Sequence, residues 1–109
     1  MPKQDYYDKG QLTDVAYLVL ASLITPCHGY KLMSKIEEMT CGDVHIGPAS
    51  LYTTLKKLSE ASFISLLKEG EGKKVYHITD EGLLALKIEI NKRERYAGYG
   101  KRALDEGQG

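Results

Sequence analysis

The sequence predicts a mainly helical fold of the α+β class, in which three helices precede a two-stranded hairpin and a fourth helix follows it. Apolar residues recur at spacings of three and four in three early segments and again after position 79. This is the spacing of a helix that buries one face. Between positions 63 and 79, β-branched and aromatic residues flank the glycine-containing stretch KEGEGK, a pattern that is typical of a hairpin.

The composition is that of an ordinary globular domain. The chain has 109 residues, of which 42% are hydrophobic and 28% charged, so we expect one domain with one core. The amino-terminal MPKQDYYDKG lacks the apolar stretch of a signal peptide, and the longest apolar run, residues 15–24, is too short to span a bilayer. Because Cys27 and Cys41 are too few for a disulfide scaffold, we expect reduced thiols in a cytoplasmic protein without a membrane segment.

Four segments follow from the pattern. We expect a flexible arm over residues 1–10, a compact head over residues 11–79, a helix over residues 80–99 and a flexible tail over residues 100–109. Glycines near position 100 favour an end of the last helix at 96–99, because glycine is a poor helix former.

The first two helices are predicted from caps and breakers. Thr13 is a suitable cap for the first helix, which Pro26 ends. The second helix is expected over residues 27–39, with Gly29 inside it. A glycine there is most simply explained by the close approach of another helix.

The third helix begins at Gly47-Pro48, since proline is well suited to the first helical position. Its buried face is formed by Leu51, Leu55 and Leu58. The opposite face has small, hydroxyl and basic side chains, namely Ala49, Thr53, Lys56 and Lys57, with Ser50, Tyr52 and Thr54 on its flanks. Hydroxyl groups and lysines are suited to base edges and phosphates, so this face is a candidate for nucleic-acid binding.

The two strands of the hairpin are expected over residues 63–67 and 74–79. Three short helices followed by such a hairpin predict a winged helix-turn-helix, with the hairpin as its wing. Lys73 and Lys74 follow the second glycine of the hairpin tip and are candidates for phosphate contact.

The last helix has more apolar surface than a small head needs. Its residues form two adjacent stripes, one of Leu83, Leu86 and Ile90 and another of Leu84 and Ile88. The excess predicts that one stripe packs against a partner subunit, which makes this a carboxy-terminal dimerisation helix.

The charge balance keeps a second hypothesis open. Fifteen basic and fifteen acidic residues cancel, and residues 28–79 contain seven lysines and six acids, a net charge of +1. Strong nucleic-acid binders are often markedly basic. A winged helix that mediates protein–protein interaction, with little affinity for DNA, is therefore the alternative.

Three motifs occur in order along the chain: HGYKL at 28–32, GxxxLYxxLxxL at 47–58 and VYxITxxG at 75–82. Together, and at these separations, they resemble the PadR family of transcriptional regulators over residues 12–95. The resemblance implies a homodimer that binds double-stranded DNA, with the third helix in the major groove and the wing near the adjacent backbone. It also implies repression and release by a small effector. The short terminal helix is similar to that of the compact branch of the family.

The sequence departs from the family pattern in three ways. Ser62 stands where the family usually has a glycine, which puts the turn after the third helix in question. Lys73 and Lys74 stand where the wing often has an arginine, so phosphate contact is favoured over bidentate base contact. The chain has no tryptophan, although the compact multidrug-binding members use one in a pocket at the dimer interface.

The candidate site residues form three groups. Those for DNA binding are Ser50, Tyr52, Thr53, Lys57, Lys73 and Lys74. Those for dimerisation are Leu83, Leu84, Ile88 and Ile90. Those for a small aromatic or apolar effector are Tyr17, Tyr96 and Tyr99, whose rings combine an apolar body with a polar tip; aromatic packing at core margins or at the dimer interface is the simpler explanation of these rings.

Neither a metal site nor a cofactor is expected. Zinc binding by Cys27, His28, Cys41 and His45 is disfavoured, because the adjacent Cys27 and His28 would point apart on a helix. Nucleophile-elbow and phosphate-loop motifs are absent from the sequence, so we expect a protein that is not an enzyme.

Overall fold

The computed structural model describes residues 12–70 and 73–108. The elements in chain order are α1 (Asp14–Ser22), β1 (Cys27–His28), a 3-10 turn (Gly29–Lys31), α2 (Leu32–Met39), α3 (Pro48–Glu60), β2 (Ile64–Gly70), β3 (Lys73–Ile78) and α4 (Asp80–Gln108). The predicted arm over residues 1–10 lies outside the described residues. The mainly helical winged helix-turn-helix is confirmed.

Helix α1 begins and ends as the sequence predicts. Thr13 Oγ1 accepts a hydrogen bond from the Ala16 amide at 3.1 Å, which satisfies one of the backbone donors that the first turn leaves without an intrahelical partner. The helix ends at Ser22, four residues before Pro26.

The prediction of a single helix over residues 27–39 is wrong at its start. Cys27 and His28 form strand β1, which pairs antiparallel with β3 through Cys27↔Tyr76 and His28↔Val75. The sheet order is β1-β3-β2, so β1 supplies hydrogen-bond partners to an edge of β3 that would otherwise be open. The strand that β1 pairs with lies about fifty residues away in the sequence, so the local apolar spacing does not reveal β1.

Gly29 also has a different explanation from the one expected. A Cβ atom at this position would lie 3.2 Å from Cε2 of Tyr76, on β3, and 3.9 Å from Cδ1 of Leu55, on α3. The close neighbour is therefore a side chain of the wing strand, and the helix α3 is farther away.

The wing is an antiparallel hairpin of β2 and β3, as predicted, with register pairs from Ile64↔Ile78 to Gly70↔Lys73. Its strands are longer towards the tip than expected. A register shift between Leu66 and Lys68 marks a bulge in β2.

The turn after α3 keeps the shape that a glycine would permit. The Phe63 amide donates to the Leu58 carbonyl at 3.0 Å, and the Ser62 amide donates to the Ser59 carbonyl at 3.0 Å. These two bonds form a Schellman motif, which places Ser62 in the left-handed region at φ 67°. Serine thus forms the turn at a position where the PadR pattern that the sequence resembles usually has glycine, although its Cβ atom makes this backbone conformation unfavourable.

One apolar core joins the three helices of the head, the base of the wing and the start of α4. Its buried members are Leu12, Ala16, Val19, Leu20, Leu23, Leu32, Ile36, Ile46, Leu51, Leu55, Leu58, Ala61, Phe63, Ile64, Ile78, Ala85 and Leu86.

Helix α4 begins with a cap from Thr79, whose Oγ1 accepts a hydrogen bond from the Gly82 amide at 3.0 Å. The same hydroxyl donates to the Ser62 carbonyl at 2.7 Å, so one side chain joins the turn after α3 to the first turn of α4.

The predicted end of this helix at 96–99, and the flexible tail after it, are wrong. Helix α4 continues through Gly98 and Gly100 to Gln108. A glycine disfavours a helix by only about 1 kcal/mol relative to alanine, and residues 101–106, KRALDE, are mostly good helix formers. Within residues 12–70 and 73–108, no helix is long and apolar enough to cross a membrane.

The contact of Gly82 with the wing base yields a stability prediction. A Cβ atom at Gly82 would overlap the Phe63 carbonyl oxygen and lie 2.9 Å from Cγ1 of Ile78. Because the obstacle is backbone, we expect Gly82→Ala to lower the free energy of unfolding by about 3 kcal/mol or more in urea denaturation. The control is Gly98→Ala on the same helix, where the nearest atom is Nη1 of Arg102 at 3.5 Å. It should raise stability by up to about 1 kcal/mol, and equal effects of the two changes would contradict the packing argument.

The left-handed Ser62 yields a prediction of the opposite sign. Ser62→Gly should raise the free energy of unfolding by about 0.5–1 kcal/mol, because the strain at Cβ exceeds the larger entropy that glycine loses on folding. Ser59→Gly, one turn earlier and exposed on α3, should lower it by about 0.5 kcal/mol. A loss of stability in both variants would show that Ser62 is not strained.

Candidate nucleic-acid interface

The orientation of α3 follows from its buried face. Leu51 and Leu58 are fully buried and Leu55 nearly so, which turns Ser50 and Thr53 towards solvent. Thr54, expected on a flank, is instead buried, and the candidate face is correspondingly narrower.

A shallow depression lies between this face and the start of α1. It is lined by Thr13, Val15, Ala49, Ser50, Thr53, Thr54 and Lys57. Three of the predicted DNA-binding residues, Ser50, Thr53 and Lys57, are thus brought together. We call this feature the α3 depression. Among the described residues that line it, none is acidic.

A second concavity lies between α3 and the wing. It has a volume of about 230 Å³ and is lined by Gly29, Tyr30, Tyr52, Lys73, Lys74 and Tyr76. It brings together the other three predicted residues, Tyr52 from α3 and the two lysines from β3. We call this feature the wing groove. Its described lining also contains no acidic side chain, although Glu69 lies opposite Lys74 in the register of the hairpin.

Sequence reasoning missed Tyr30, which is half exposed at 51% beside the equally exposed Tyr52. Tyr30 belongs to the HGYKL motif, and the wrong helix prediction concealed its position next to the wing. Its ring lies 5.3 Å from that of His28 and 6.0 Å from Nζ of Lys31. The motif contains Tyr30, but only the pairing of β1 with β3 places this residue beside the wing groove.

The other side of the wing has a further concavity, lined by His28, Lys68, Gly70, Lys73 and Val75. Lys73 therefore borders both sides of the hairpin. Lys68, the first residue of the KEGEGK stretch, lines this concavity and does not line the wing groove.

The amino-terminal end of α3 is exposed. Gly47 is the N-cap and supplies no side-chain hydrogen bond, and Pro48 occupies the first turn. The amides of Ala49 and Ser50 have no intrahelical partner by helix geometry. The positive end of the helix dipole is thus open next to the α3 depression, which favours an anion there.

The predicted effector residues are not all in one place. Tyr96 and Tyr99 are exposed on α4, with ring centroids 5.7 Å apart. The Tyr17 ring lies under the guanidinium of Arg93, whose central carbon is 4.3 Å from the ring centroid. The cavities described above are lined by other residues, so effector binding stays a prediction.

The predicted dimerisation residues differ in exposure. Leu84 and Ile90 are exposed, and Ile88 is half-buried. Leu83 packs partly against the core of its own head, so it has less surface to offer a partner than expected.

The residues of the disfavoured zinc hypothesis are dispersed. His45 Nδ1 lies 2.9 Å from Glu37 Oε2, and His28 packs on Tyr30. In the part of the chain that the structure describes, no three histidine, cysteine or acidic side chains are grouped as metal ligands would be.

Comparison with known proteins places this architecture in a family. The sequence profile of the transcriptional regulator PadR-like family matches residues 18–88. The chain belongs to the PadR-like family. Its resemblance to that family, inferred from the three motifs, is confirmed, as is the expectation that it is not an enzyme, because the PadR-like family consists of transcriptional regulators.

Individual relatives agree with this assignment. The chain is 34% identical over 80 residues to the transcriptional regulator YqjI of Escherichia coli (strain K12), and the match covers 73% of this chain and 38% of YqjI. The chain thus spans well under half the length of that relative.

Solved structures show the same fold. A transcriptional regulator from Clostridium thermocellum superposes with a TM-score of 0.73 at 23% identity, covering 81% of this chain and 87% of the other. A PadR family transcriptional regulator from Eggerthella lenta superposes with a TM-score of 0.65 at 27% identity, covering 82% and 80%.

Proposed function

We propose that this PadR-like chain binds operator DNA as a homodimer and represses transcription. The observation that carries the proposal is the wing groove, where Tyr52 of α3 and Lys73 and Lys74 of β3 line one concavity. A helix and a wing that meet in this way can contact one duplex at the same time, with the helix in the major groove and the wing on the neighbouring backbone.

The residues of the α3 depression would supply base recognition. The hydroxyls of Ser50 and Thr53 are exposed and act as donors or acceptors to base edges or phosphates. Lys57 borders the same depression and would contact phosphate as a point charge. The open amino terminus of α3 adds backbone donors for a phosphate oxygen.

The neutral net charge is compatible with DNA binding because the charges are unevenly placed. Lys73 and Lys74 are exposed, and the described linings of the α3 depression and of the wing groove contain no acid. Two such heads on one duplex would double the number of phosphate contacts. We therefore infer that affinity depends on dimerisation more than it does in a strongly basic protein.

The second half of α4 supports a homodimer. None of the residues 94–108, all of which are described, is buried. This segment is about 22 Å long and contains three glycines. An isolated helix of this length and composition is marginal in water, so contacts with a second subunit would account for its stability.

The side chains of α4 suggest which face that subunit covers. Large apolar groups stay exposed along the helix at Leu84, Ile90, Tyr96, Tyr99 and Leu104. The face that Leu86 and Glu89 bury against the head continues, at spacings of three and four, through Arg93, Ala97, Gly100 and Leu104. Small residues on this face would let a partner helix approach closely.

Repression and effector release are supported by the family resemblance alone. A dimer that occupies an operator would exclude the transcription machinery from overlapping DNA. A small effector would release the dimer by changing the arrangement of the two heads. The competing function is a protein-interaction module with little affinity for DNA, which the neutral net charge favours.

DNA binding is tested by a salt series. Duplexes selected by the protein from a random library should bind with an affinity that falls steeply with salt, because phosphate contacts release counterions. The variant Lys73→Ala/Lys74→Ala should weaken binding to every duplex and lower the salt slope by about two, one for each phosphate contact.

The matched control is Lys87→Ala/Lys101→Ala, which removes the same charge from exposed positions on α4 and should leave the slope unchanged. If the library yields no enriched sequence and binding is weak on all DNA, the protein-interaction function is favoured instead.

The dimer is tested by charges on α4. Ala97→Glu and Leu104→Glu alter exposed side chains on the proposed face, so the head should remain folded. We expect monomers in sedimentation velocity and a loss of operator affinity of about a hundredfold or more, because two linked heads bind far better than one. Leu67→Glu, on the similarly exposed β2, is the control for added charge and should stay dimeric. Dimers that persist in both α4 variants would place the interface elsewhere.

A further inference from the structure

Glu89 is a buried carboxylate at the junction of α4 and the head. The residue is 1% exposed. Its Oε1 accepts a hydrogen bond from the Leu12 amide at 3.1 Å, and its Oε2 accepts one from Nε of Arg93 at 2.7 Å. A buried carboxylate is costly unless it is paired in this way.

Arg93 directs the rest of its guanidinium to the same place. Its Nη2 donates to the Leu12 carbonyl at 3.3 Å, and its Nη1 lies 2.9 Å from Oδ1 of Asp14. Its central carbon lies 4.3 Å from the centroid of the Tyr17 ring. Two residues of α4 thus hold both backbone groups of Leu12 and the first turn of α1. We call Glu89 and Arg93 the clamp.

The guanidinium of Arg93 stays charged. Partial burial lowers the pKa of Arg93, but the hydrogen bonds and charges of Glu89 and Asp14 outweigh it and raise the pKa above its ordinary value. The guanidinium therefore keeps its full set of hydrogen-bond donors at neutral pH.

The clamp is the last of the contacts that hold α4 to the head, after Gly82 and the buried Ala85 and Leu86. The first is Gly82, which lies directly on the Phe63 carbonyl. Gly82 and Arg93 are about 16 Å apart along the helix. Contacts at both ends of this span fix the direction of α4 relative to the head, whereas contacts at its start alone would let the helix pivot.

We propose that Glu89 and Arg93 are positioning residues that fix the angle between the head and α4, and so determine which spacing of half-sites the dimer accepts. The proposal rests on the dimeric DNA binding proposed above. A pivot of about 10° at Leu86 would move Leu104 by about 5 Å, given the helix rise of 1.5 Å per residue. This is more than the 3.4 Å between successive base pairs.

The chemistry of the clamp suits such a role better than an apolar contact. Apolar side chains of similar volume often stabilise a fold as well as a buried ion pair does. Apolar contacts would, however, allow small sliding movements, whereas the planar guanidinium of arginine donates its hydrogen bonds in fixed directions.

The test replaces the clamp while keeping its volume. Glu89→Leu/Arg93→Met removes both charges together, so no unpaired buried charge remains, and Arg93→Lys keeps the charge without the fork. The control is Arg95→Met, which removes an arginine from an exposed position of the same helix. The probes are the duplexes selected by the wild-type protein, with base pairs inserted between the half-sites up to half a helical turn, about 5 base pairs.

The wild-type protein and Arg95→Met should lose about a hundredfold in affinity at half a turn, because both heads can no longer bind together. With a single base pair inserted, the wild-type protein and Arg95→Met should lose about tenfold, whereas Glu89→Leu/Arg93→Met should lose less than about threefold, since a pivot of about 10° covers this distance. At half a turn the variant should lose as much as the wild type, because a pivot of this size does not span that distance. The variant should bind a single half-site as the wild type does. A spacing profile that is unchanged in this variant, and in Arg93→Lys, would overturn the proposal.

A second measurement does not involve DNA. With Cys27→Ser as background, a spin label on the exposed Cys41 reports the distance between the two heads of a dimer. The distance distribution should be narrow in the wild type and in Arg95→Met, and broader in both clamp variants. If the double variant does not fold, Arg93→Lys decides the outcome.

These experiments separate the proposed dimeric DNA binding from the role of the clamp. If no sequence is enriched, or if no distance between heads is measurable because the protein is monomeric, the proposed function fails. If the wild type is a dimer that selects one spacing and the clamp variants select it equally, only the role of the clamp fails.

Discussion

Leu51, Leu55 and Leu58 bury one face of α3 in the head, and the burial of each is worth about 1.5–3 kcal/mol. This packing fixes the rotation of the helix about its axis. Because the helix cannot turn without exposing these leucines, Ser50 and Thr53 face solvent on the other side. The wing, the depression beside α1 and the groove beside Tyr52 are all placed relative to this one buried face.

The sheet places the wing against that helix. Strand β3 is central, and β1 pairs with its outer edge, so Gly29 and Tyr30 lie next to the wing. Gly29 packs closely against the ring of Tyr76. A side chain at position 29 would push this ring away. As a result Tyr30, Tyr52 and the wing lysines border one groove. Among the described residues this lining contains no acid, and such a lining is how a chain without net charge would keep a surface for phosphates.

Helix α4 transmits the arrangement of the head to whatever α4 contacts. Gly82 seats its first turn on the wing base, and Glu89 with Arg93 fixes its third turn to the start of α1. The remaining helix extends past the head with its apolar side chains uncovered. The first half of α4 thus stabilises the head through burial. Its second half would determine the geometry of a dimer through contacts with a partner.

The sequence by itself determined the elements whose signals are local. The caps at Thr13 and Pro48, the apolar spacing of α3 and the change of period at the wing were enough for the fold class, and three motifs were enough for the family. Tertiary structure alone decided the strand at Cys27, the role of Gly29 and the buried Glu89 with Arg93, because each depends on a partner distant in sequence. The extension of α4 through two glycines was likewise missed, since a local preference of about 1 kcal/mol does not determine where a helix ends. Local propensity determines which helices and strands form, and contacts between distant residues determine how these elements pack together.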